Sequence, residues 1–327
     1  MPAPFPWFGG KSRAAPLIWA ALGDVPNFVD PFFGSGAVLL GRPHPPGTET
    51  ANDKDAYLAN FYRALAADPD AVAHYADYPP SEPDLHARHS WLVQQRTELT
   101  VRVEGDPDYS DVKIAGWWVW GLCLWIGGQW CTGKGPWQSV HGKLLHLGDK
   151  GRGVHRKRLH LGNKGEGVHR SQLVDLKAYM QALAKRLRYV RMCCGDWSRV
   201  LSQSVTYRQG LTGIVLDPPY SHAARCRALY RIEEDIERAV RTWAIAHGNN
   251  PLLRIVLCGY EQQECVMPSS WTCVHWQGPG GMGNIGHGRG RANASRERLW
   301  LSPHCLQQHD TLFTWAQQQR LRDDSTA

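Results

Sequence analysis

The stretch Gly213-Ile214-Val215-Leu216-Asp217-Pro218-Pro219-Tyr220 indicates the fold more strongly than any other part of the chain. Its first four residues form an apolar run, which is typical of a strand buried on both faces of a sheet. Two prolines then end the strand, because proline has no N–H to donate to a neighbouring strand. Asp217 is therefore predicted at the carboxyl end of a strand, where open α/β sheets bind their ligands.

The residues that follow this strand suit a planar base that carries an amino group. The carboxylate of Asp217 can accept one hydrogen bond from the amine, and a nearby backbone carbonyl can accept the second. The ring of Tyr220 offers a flat face for stacking, and Pro218 and Pro219 stiffen the backbone between them. In the structural alternative, Asp217 is only a turn residue before two prolines.

The composition is that of a packed globular protein with a mild basic bias. The chain has 327 residues, of which 43% are hydrophobic and 20% charged, and its net charge is +7. This bias permits nucleic acid or another polyanion as a partner. The nine cysteines form no CxxC pair, and no signal peptide is evident, so reduced thiols and a cytoplasmic location are expected.

The uncharged run 114–133 contains glycines and scattered tryptophans, which favours a buried helix and turn over a membrane span.

Three segments near the N-terminus have the character of ligand loops. Gly9 and Gly10 allow the backbone to approach a ligand closely. Residues 27–38 read as a strand, a glycine turn and a helix, and the N–H groups of such a turn can hold an anionic group. Asp53 follows Asp30 at about the 20-residue distance at which Rossmann-like folds place a ribose-binding acid. Capping of the next helix by Asn52 or Asp53 is the alternative.

Together these motifs resemble those of Dam-like adenine-N6 DNA methyltransferases, an alpha-ordered family of amino-methyltransferases. The resemblance covers the first 65 residues and most of 175–301, and it lies in Trp-x-Gly-Gly-Lys (7–11), Asp-Pro-Phe-x-Gly-Ser-Gly (30–36) and Asp-Pro-Pro-Tyr (217–220). It implies an α/β, Rossmann-like methyltransferase sheet with helices on both faces. It further implies a catalytic domain formed by residues 1–75 and 175–327, and a target-recognition insertion at 76–174.

The resemblance also implies S-adenosylmethionine as the cofactor and a role for each motif. Trp7 and Lys11 contact the cofactor, Lys11 at its carboxylate, while Asp30 contacts its methionine end and Asp53 its ribose. Asp196 meets the adenine ring, with a structural helix cap as the rival interpretation. The expected cofactor-binding residues are Trp7, Lys11, Asp30, Phe32, Gly34, Ser35, Gly36, Asp53 and Asp196, and the expected catalytic residues are Asp217, Pro218, Pro219 and Tyr220.

The implied activity is methyl transfer to N6 of adenine in DNA, after the base is flipped into the Asp-Pro-Pro-Tyr pocket. We expect DNA as the partner, no membrane, no metal, and a monomer or weak dimer, in a restriction-modification or phage-related setting. Two alternatives stay open: a methyltransferase that acts on RNA adenine or a protein amide, and a non-catalytic nucleic-acid-binding protein.

The central stretch contains a tryptophan-rich run and an internal repeat. Most of the tryptophans are expected in the core, while Trp130 and Trp137 are candidates for exposed stacking. The segment 146–156 recurs as 160–170, and two copies are too few for a solenoid, so similar loops or a β-ribbon are expected. The repeat is a departure from the family's pattern. Its basic residues favour a loop that grips phosphates over a merely solvated loop, and the candidates are Lys150, Arg152, Arg156, Lys164 and Arg170.

Overall fold

The structure is a computed structural model that describes residues 1–7, 9–125, 130–131, 137–140, 143–146, 175–219, 227–260, 267–276 and 297–306. For residues 137–140, 143–146 and 227–235 it describes the backbone alone. The helices are α1 (Ala15–Leu22), α2 (Ala37–Leu40), α3 (Ala56–Ala67), α4 (Pro69–Ala76), α5 (Glu82–Gly105), α6 (Val112–Leu124), α7 (Leu176–Leu187) and α8 (Arg227–His247). The strands are β1 (Asn27–Asp30), β2 (Thr48–Asp53), β3 (Trp137–Val140), β4 (Lys143–His146), β5 (Arg191–Cys194), β6 (Thr212–Leu216), β7 (Leu253–Tyr260), β8 (Thr272–His275) and β9 (Glu297–Leu301).

Seven of these strands form one sheet in the order β5-β2-β1-β6-β7-β9-β8. Neighbouring strands from β5 to β7 are parallel, and β9 runs antiparallel to both of its neighbours. The strand β6 therefore lies in the middle of the sheet, between β1 and β7. All five of its residues are buried, as the apolar run before Asp217 predicts.

Two apolar layers cover the faces of this sheet. Alternate residues of the central strand point to opposite layers: Val215 packs with α1 and the helices from α3 to α7, and Ile214 and Leu216 pack with α8. A parallel sheet needs cover on both faces because its strands are apolar on both. The α/β fold with helices on both faces is confirmed.

Most of the helices begin where a short polar side chain accepts a hydrogen bond from a backbone N–H of the first turn. Asp55 caps α3, Asp68 caps α4, Ser81 caps α5, Asp111 caps α6 and Asp175 caps α7. Such a cap contributes about 1 kcal/mol, because the first N–H groups of a helix have no partner within it. The local sequence thus determines where these helices start.

The tryptophan-rich run forms α6 and packs into the same apolar layer as α3, α4 and α5. Trp118 and Trp120 are buried, as expected. The prediction that Trp130 is exposed is wrong: its side chain is 7% exposed, and its indole N–H donates to the carbonyl of Trp118 at 3.0 Å. Gly121 makes room for this ring, since a Cβ there would lie 1.9 Å from it. None of the described helices is long and apolar enough to cross a membrane.

Several predicted features lie outside the described residues. They include Tyr220, the side chain of Trp137, nearly all of the repeat, and the basic residues Lys150, Arg152, Arg156, Lys164 and Arg170. The domain limits at residues 76 and 174 stay a prediction, as does the role of the central segment.

Candidate active site

One edge of the sheet collects the polar residues that the sequence singled out. Asp30 ends β1, Asp53 ends β2 and Asp217 directly follows β6, and these strands run in the same direction. Asn52 joins the strand ends, because its amide donates to the carbonyls of Pro31 at 3.0 Å and Gly195 at 3.1 Å. Parallel pairing therefore brings together residues that are up to 187 positions apart in sequence.

A pocket opens at this edge. It combines carboxyl groups, one ammonium group, aromatic rings and the glycine turn after β1, and its lining residues are Trp7, Gly10, Lys11, Asp30, Phe32, Phe33, Ser35, Ala37, Val38, Val215 and Asp217. The predicted site residues Trp7, Lys11, Asp30, Phe32, Ser35 and Asp217 thus line a single pocket. A convergence of polar groups in an otherwise apolar pocket is typical of a ligand site.

Lys11 and Asp217 form an ion pair at the centre of the pocket. The Nζ of Lys11 lies 2.8 Å from Oδ2 of Asp217 and donates to the carbonyl of Gly9 at 2.6 Å. The Lys11 side chain is 3% exposed and that of Asp217 is 19% exposed. Burial alone would lower the pKa of Lys11, but its interactions with Asp217, Cys258 and Glu297, of which that with Asp217 is the largest, together raise the pKa to about 12. Lys11 is therefore a permanent cation held against the carboxylate of Asp217.

Asp30 has the opposite electrostatic character. Its Oδ1 accepts the backbone N–H of Phe32 at 3.2 Å, and the residue is 3% exposed. Burial raises the pKa of this carboxyl to about 8, and the nearby carboxylates of Asp217 and Asp53 act in the same direction. A cationic group bound next to Asp30 would lower this pKa and stabilise the ionised carboxylate, so the position favours a cationic ligand group.

The glycine turn after β1 is shaped by two residues with positive φ. Gly34 has φ +49°, and a Cβ there would lie 2.5 Å from the Trp7 ring, while Gly36 has φ +69° and faces the ring of Phe33. Asp53 holds the turn from the neighbouring strand: its Oδ2 accepts the Gly34 N–H at 2.9 Å, and its Oδ1 accepts the Asp55 N–H at 3.0 Å. Burial raises the pKa of Asp53.

The alternative role given to Asn52 and Asp53 is wrong, because neither caps the following helix. Asp55 does so, accepting the N–H of Tyr57 at 2.8 Å. The structural interpretation of Asp196 is confirmed: it is exposed and caps a short 3-10 helix, accepting the N–H of Ser198 at 3.0 Å. Its contact with a cofactor stays a prediction. Next to it, the ring of Trp197 stacks on Phe32 with centroids 6.3 Å apart.

The sequence did not single out two further ionisable groups that lie near the ion pair. Glu297 begins β9, and Cys258 lies on β7 at the level of Asp217. Both interact electrostatically with Lys11 and Asp217. The sequence signal for Glu297 is weak, because β9 opens with two charged residues, Glu297 and Arg298, before three apolar ones. Among the described residues no group of His, Cys, Asp and Glu is arranged to hold a metal ion.

A comparison with protein families finds similarity in the N-terminal part of the chain. Residues 7–103 match the model of the D12 class N6 adenine-specific DNA methyltransferases. This range contains the motifs at 7–11 and 30–36 as well as Asp53, so it confirms the resemblance to Dam-like adenine methyltransferases. The match supports N6-adenine DNA methyltransferase activity, and that family implies use of S-adenosylmethionine. A comparison with curated proteins found no match.

Proposed function

We propose that this chain, a Dam-like adenine methyltransferase by its D12-class match, transfers the methyl group of S-adenosylmethionine to N6 of a flipped adenine in DNA. One observation carries the proposal. The structure places Asp217, from the C-terminal half, in the same pocket as Lys11 and Asp30, which belong to the matched N-terminal segment. A pocket for cofactor alone would not need the carboxylate of Asp217, whereas an incoming amino group would.

The residues of the pocket fit the parts of S-adenosylmethionine. Asp30 offers a buried carboxyl group for the amino group of the methionine moiety, and the turn at Gly34 and Gly36 leaves room for close approach. The oxygens of Asp53 each accept one backbone N–H and keep further acceptor capacity for ribose hydroxyls. Lys11 offers a cation for the carboxylate of the cofactor. When bound, S-adenosylmethionine supplies a methyl group activated by a positively charged sulfur.

Asp217 would orient the N6 amino group of adenine, which is a weak nucleophile. The N6 lone pair of adenine is delocalised into the ring, so the amine must be oriented before it can accept a methyl group. Asp217 and the carbonyl of Pro218 would accept the two N–H bonds and direct the lone pair away from themselves. Tyr220, outside the described residues, would stack on the base. Positioning and fixed charges then supply the catalysis.

The central segment is proposed to hold the DNA. Base flipping costs a few kcal/mol of stacking and pairing, which contacts to the backbone must offset. The basic residues of the repeat, such as Lys150 and Arg152, suit phosphate contacts. Neutralising four of them should flatten the salt dependence of DNA binding by about 0.9 log unit of slope for each lost contact. Unchanged salt dependence would exclude this segment as the phosphate-binding surface.

The decisive experiment compares two aspartates that both form ion pairs with lysine. Asp217→Ala should lower methyl incorporation into DNA by about 10²- to 10³-fold, the range seen when one fixed polar group is removed from an active site. Asp217→Asn keeps the shape and one acceptor, so its loss should be smaller. Asp70→Asn is the control, since Asp70 pairs with Lys177 at 2.8 Å on the exposed surface. It should leave the rate unchanged.

The product must be identified together with the rate. Tritiated methyl transfer followed by mass spectrometry should find N6-methyladenine in DNA. Label on cytosine, on RNA adenine or on a protein amide would replace the proposal with one of the alternatives. Failure of the folded wild-type protein to bind S-adenosylmethionine in calorimetry would favour a non-catalytic nucleic-acid-binding protein.

A further inference from the structure

The ring of Trp7 lines the pocket and packs directly against its glycine turn. A Cβ on Gly34 would lie 2.5 Å from this ring, so the turn and the ring are in close contact. The backbone of Trp7 is fixed separately, because its carbonyl accepts the N–H of Gly10 at 3.0 Å. The orientation of the ring about its side-chain bonds therefore depends on the side chains that pack behind it.

Trp118 of α6 provides much of that packing. The ring centroids of Trp118 and Trp7 lie 6.2 Å apart with the planes tilted by 59°. Phe5 contacts both rings, with centroids 5.8 Å from Trp7 and 5.1 Å from Trp118, and such tilted and edge-on pairs are favourable. Trp118 is not among the described residues that line the pocket. It can therefore influence a ligand there only through the rings in front of it.

The ring of Trp118 is itself fixed by the core. It lies parallel to the ring of Tyr57, at an angle of 4° and a centroid distance of 6.3 Å, and Phe61 lies 6.2 Å away. Tyr57 is anchored in turn, because its hydroxyl donates to the carbonyl of Leu92 at 2.6 Å. A buried ring with close neighbours on several sides keeps one orientation. Trp118 is thus a rigid support for Trp7.

Trp118 belongs to a part of the chain outside the family match. The match ends at residue 103, whereas α6 begins at Val112. This helix also lies within the segment 76–174, which the sequence predicts as a target-recognition insertion. A residue of that segment therefore supports a pocket wall that the matched N-terminal segment supplies.

We propose that Trp118 is a positioning residue that holds the ring of Trp7 in the orientation required to bind the cofactor. The inference rests on the proposed function, in which Trp7 contacts S-adenosylmethionine. A binding-site ring that is held in one orientation loses little conformational freedom when the ligand binds. Without the support of Trp118, the ring of Trp7 would adopt several orientations, and binding would have to order it.

Trp120 offers a matched control on the same helix. Two positions along an α-helix differ by about 200° in direction, so Trp120 points away from Trp118. Both are buried, but the Trp120 indole N–H donates to the carbonyl of Tyr78 at 2.8 Å, and its ring contacts Arg88. None of these three residues is among the described residues that line the pocket. Substitutions at both tryptophans remove a buried indole, but only those at Trp118 remove packing behind Trp7.

Calorimetry of S-adenosylmethionine binding tests the proposal without turnover. Trp118→Leu should weaken binding about tenfold, and Trp118→Phe, which keeps an aromatic ring, about threefold, as expected for the loss or weakening of one aromatic pair. Trp120→Leu and Trp120→Phe should bind within about twofold of the wild type, because their effects are confined to stability, which urea unfolding measures. Equal weakening by the substitutions at the two positions would overturn the positioning role. Trp118→Phe provides the test if Trp118→Leu does not fold.

A double-mutant cycle shows whether Trp118 acts through Trp7. In the Trp7→Leu background the ring that Trp118 positions is absent, so the tenfold effect of Trp118→Leu should shrink to less than about twofold. An undiminished effect in that background would overturn the inference while the proposed function stands. Failure of the folded wild type to bind S-adenosylmethionine would instead refute the proposed function itself, and this inference with it.

Discussion

Replacing Asp30 by Asn should stabilise the protein while it removes cofactor binding. The carboxyl is 3% exposed, and burial raises its pKa from 3.8 to about 8. At pH 7 the unfolded chain gains the free energy of ionising this group and the folded chain does not. The difference of about 3 pH units at 1.36 kcal/mol each gives a cost of about 4 kcal/mol to the folded state. Asn keeps an oxygen for the Phe32 N–H and avoids this cost.

The pH dependence gives the sign of the effect. A carboxyl whose pKa is raised by folding contributes stability that is complete below pH 3.8 and is lost as pH rises toward 8. The free energy of unfolding of Asp30→Asn, relative to that of the wild type, should therefore be smallest near pH 4 and grow up to about pH 8. Urea unfolding at several pH values, without cofactor, measures this difference.

A matched substitution elsewhere serves as the control for this prediction. The exposed carboxylate of Asp196 has a lowered pKa because Ser198 donates hydrogen bonds to it. Asp196→Asn should therefore lose stability at neutral pH, and this loss should stay nearly constant between pH 5 and 8 and fade only as the pH falls below about 4. If the difference in free energy of unfolding between Asp30→Asn and the wild type stayed constant between pH 4 and 8, the reasoning about Asp30 would be refuted. In calorimetry, Asp30→Asn should also lose S-adenosylmethionine binding under the proposed function.

Three further substitutions test residues that stabilise the fold around the site. Glu49 is buried between two arginines, one of them bound through two hydrogen bonds of 2.7 and 2.9 Å, so Glu49→Ala should destabilise the protein by about 3–5 kcal/mol in urea unfolding. Asp111→Ala removes the cap of α6 and should cost about 1 kcal/mol by the same measurement. Gly34→Ala should cost about 1–3 kcal/mol for its φ of +49° and displace Trp7, which a changed tryptophan fluorescence and weaker S-adenosylmethionine binding would reveal.

Local patterns in the chain were sufficient to predict many elements of the fold. The apolar run before Asp217 is a fully buried strand, and the strand predicted at the start of 27–38 is β1, which is also fully buried and ends before Pro31. Both predictions succeed because a strand buried on both faces must be apolar, and because proline or a polar turn residue must end it. The alternative that Asn52 or Asp53 caps the helix after β2 is wrong, since several neighbouring polar side chains satisfy the same pattern and the backbone selects Asp55.

Sequence patterns alone identify the chemical groups that meet at the pocket of this protein. The motifs around Trp7, Asp30 and Asp217 carry residue types and spacings that pattern alone can recognise. How these groups meet depends on the tertiary structure, which pairs Lys11 with Asp217, raises the pKa of Asp30 and buries Trp130. These outcomes depend on strand order and burial, and both arise from contacts between distant parts of the chain. A linear pattern records which groups are present, whereas desolvation and charge coupling depend on distances that only the folded chain sets.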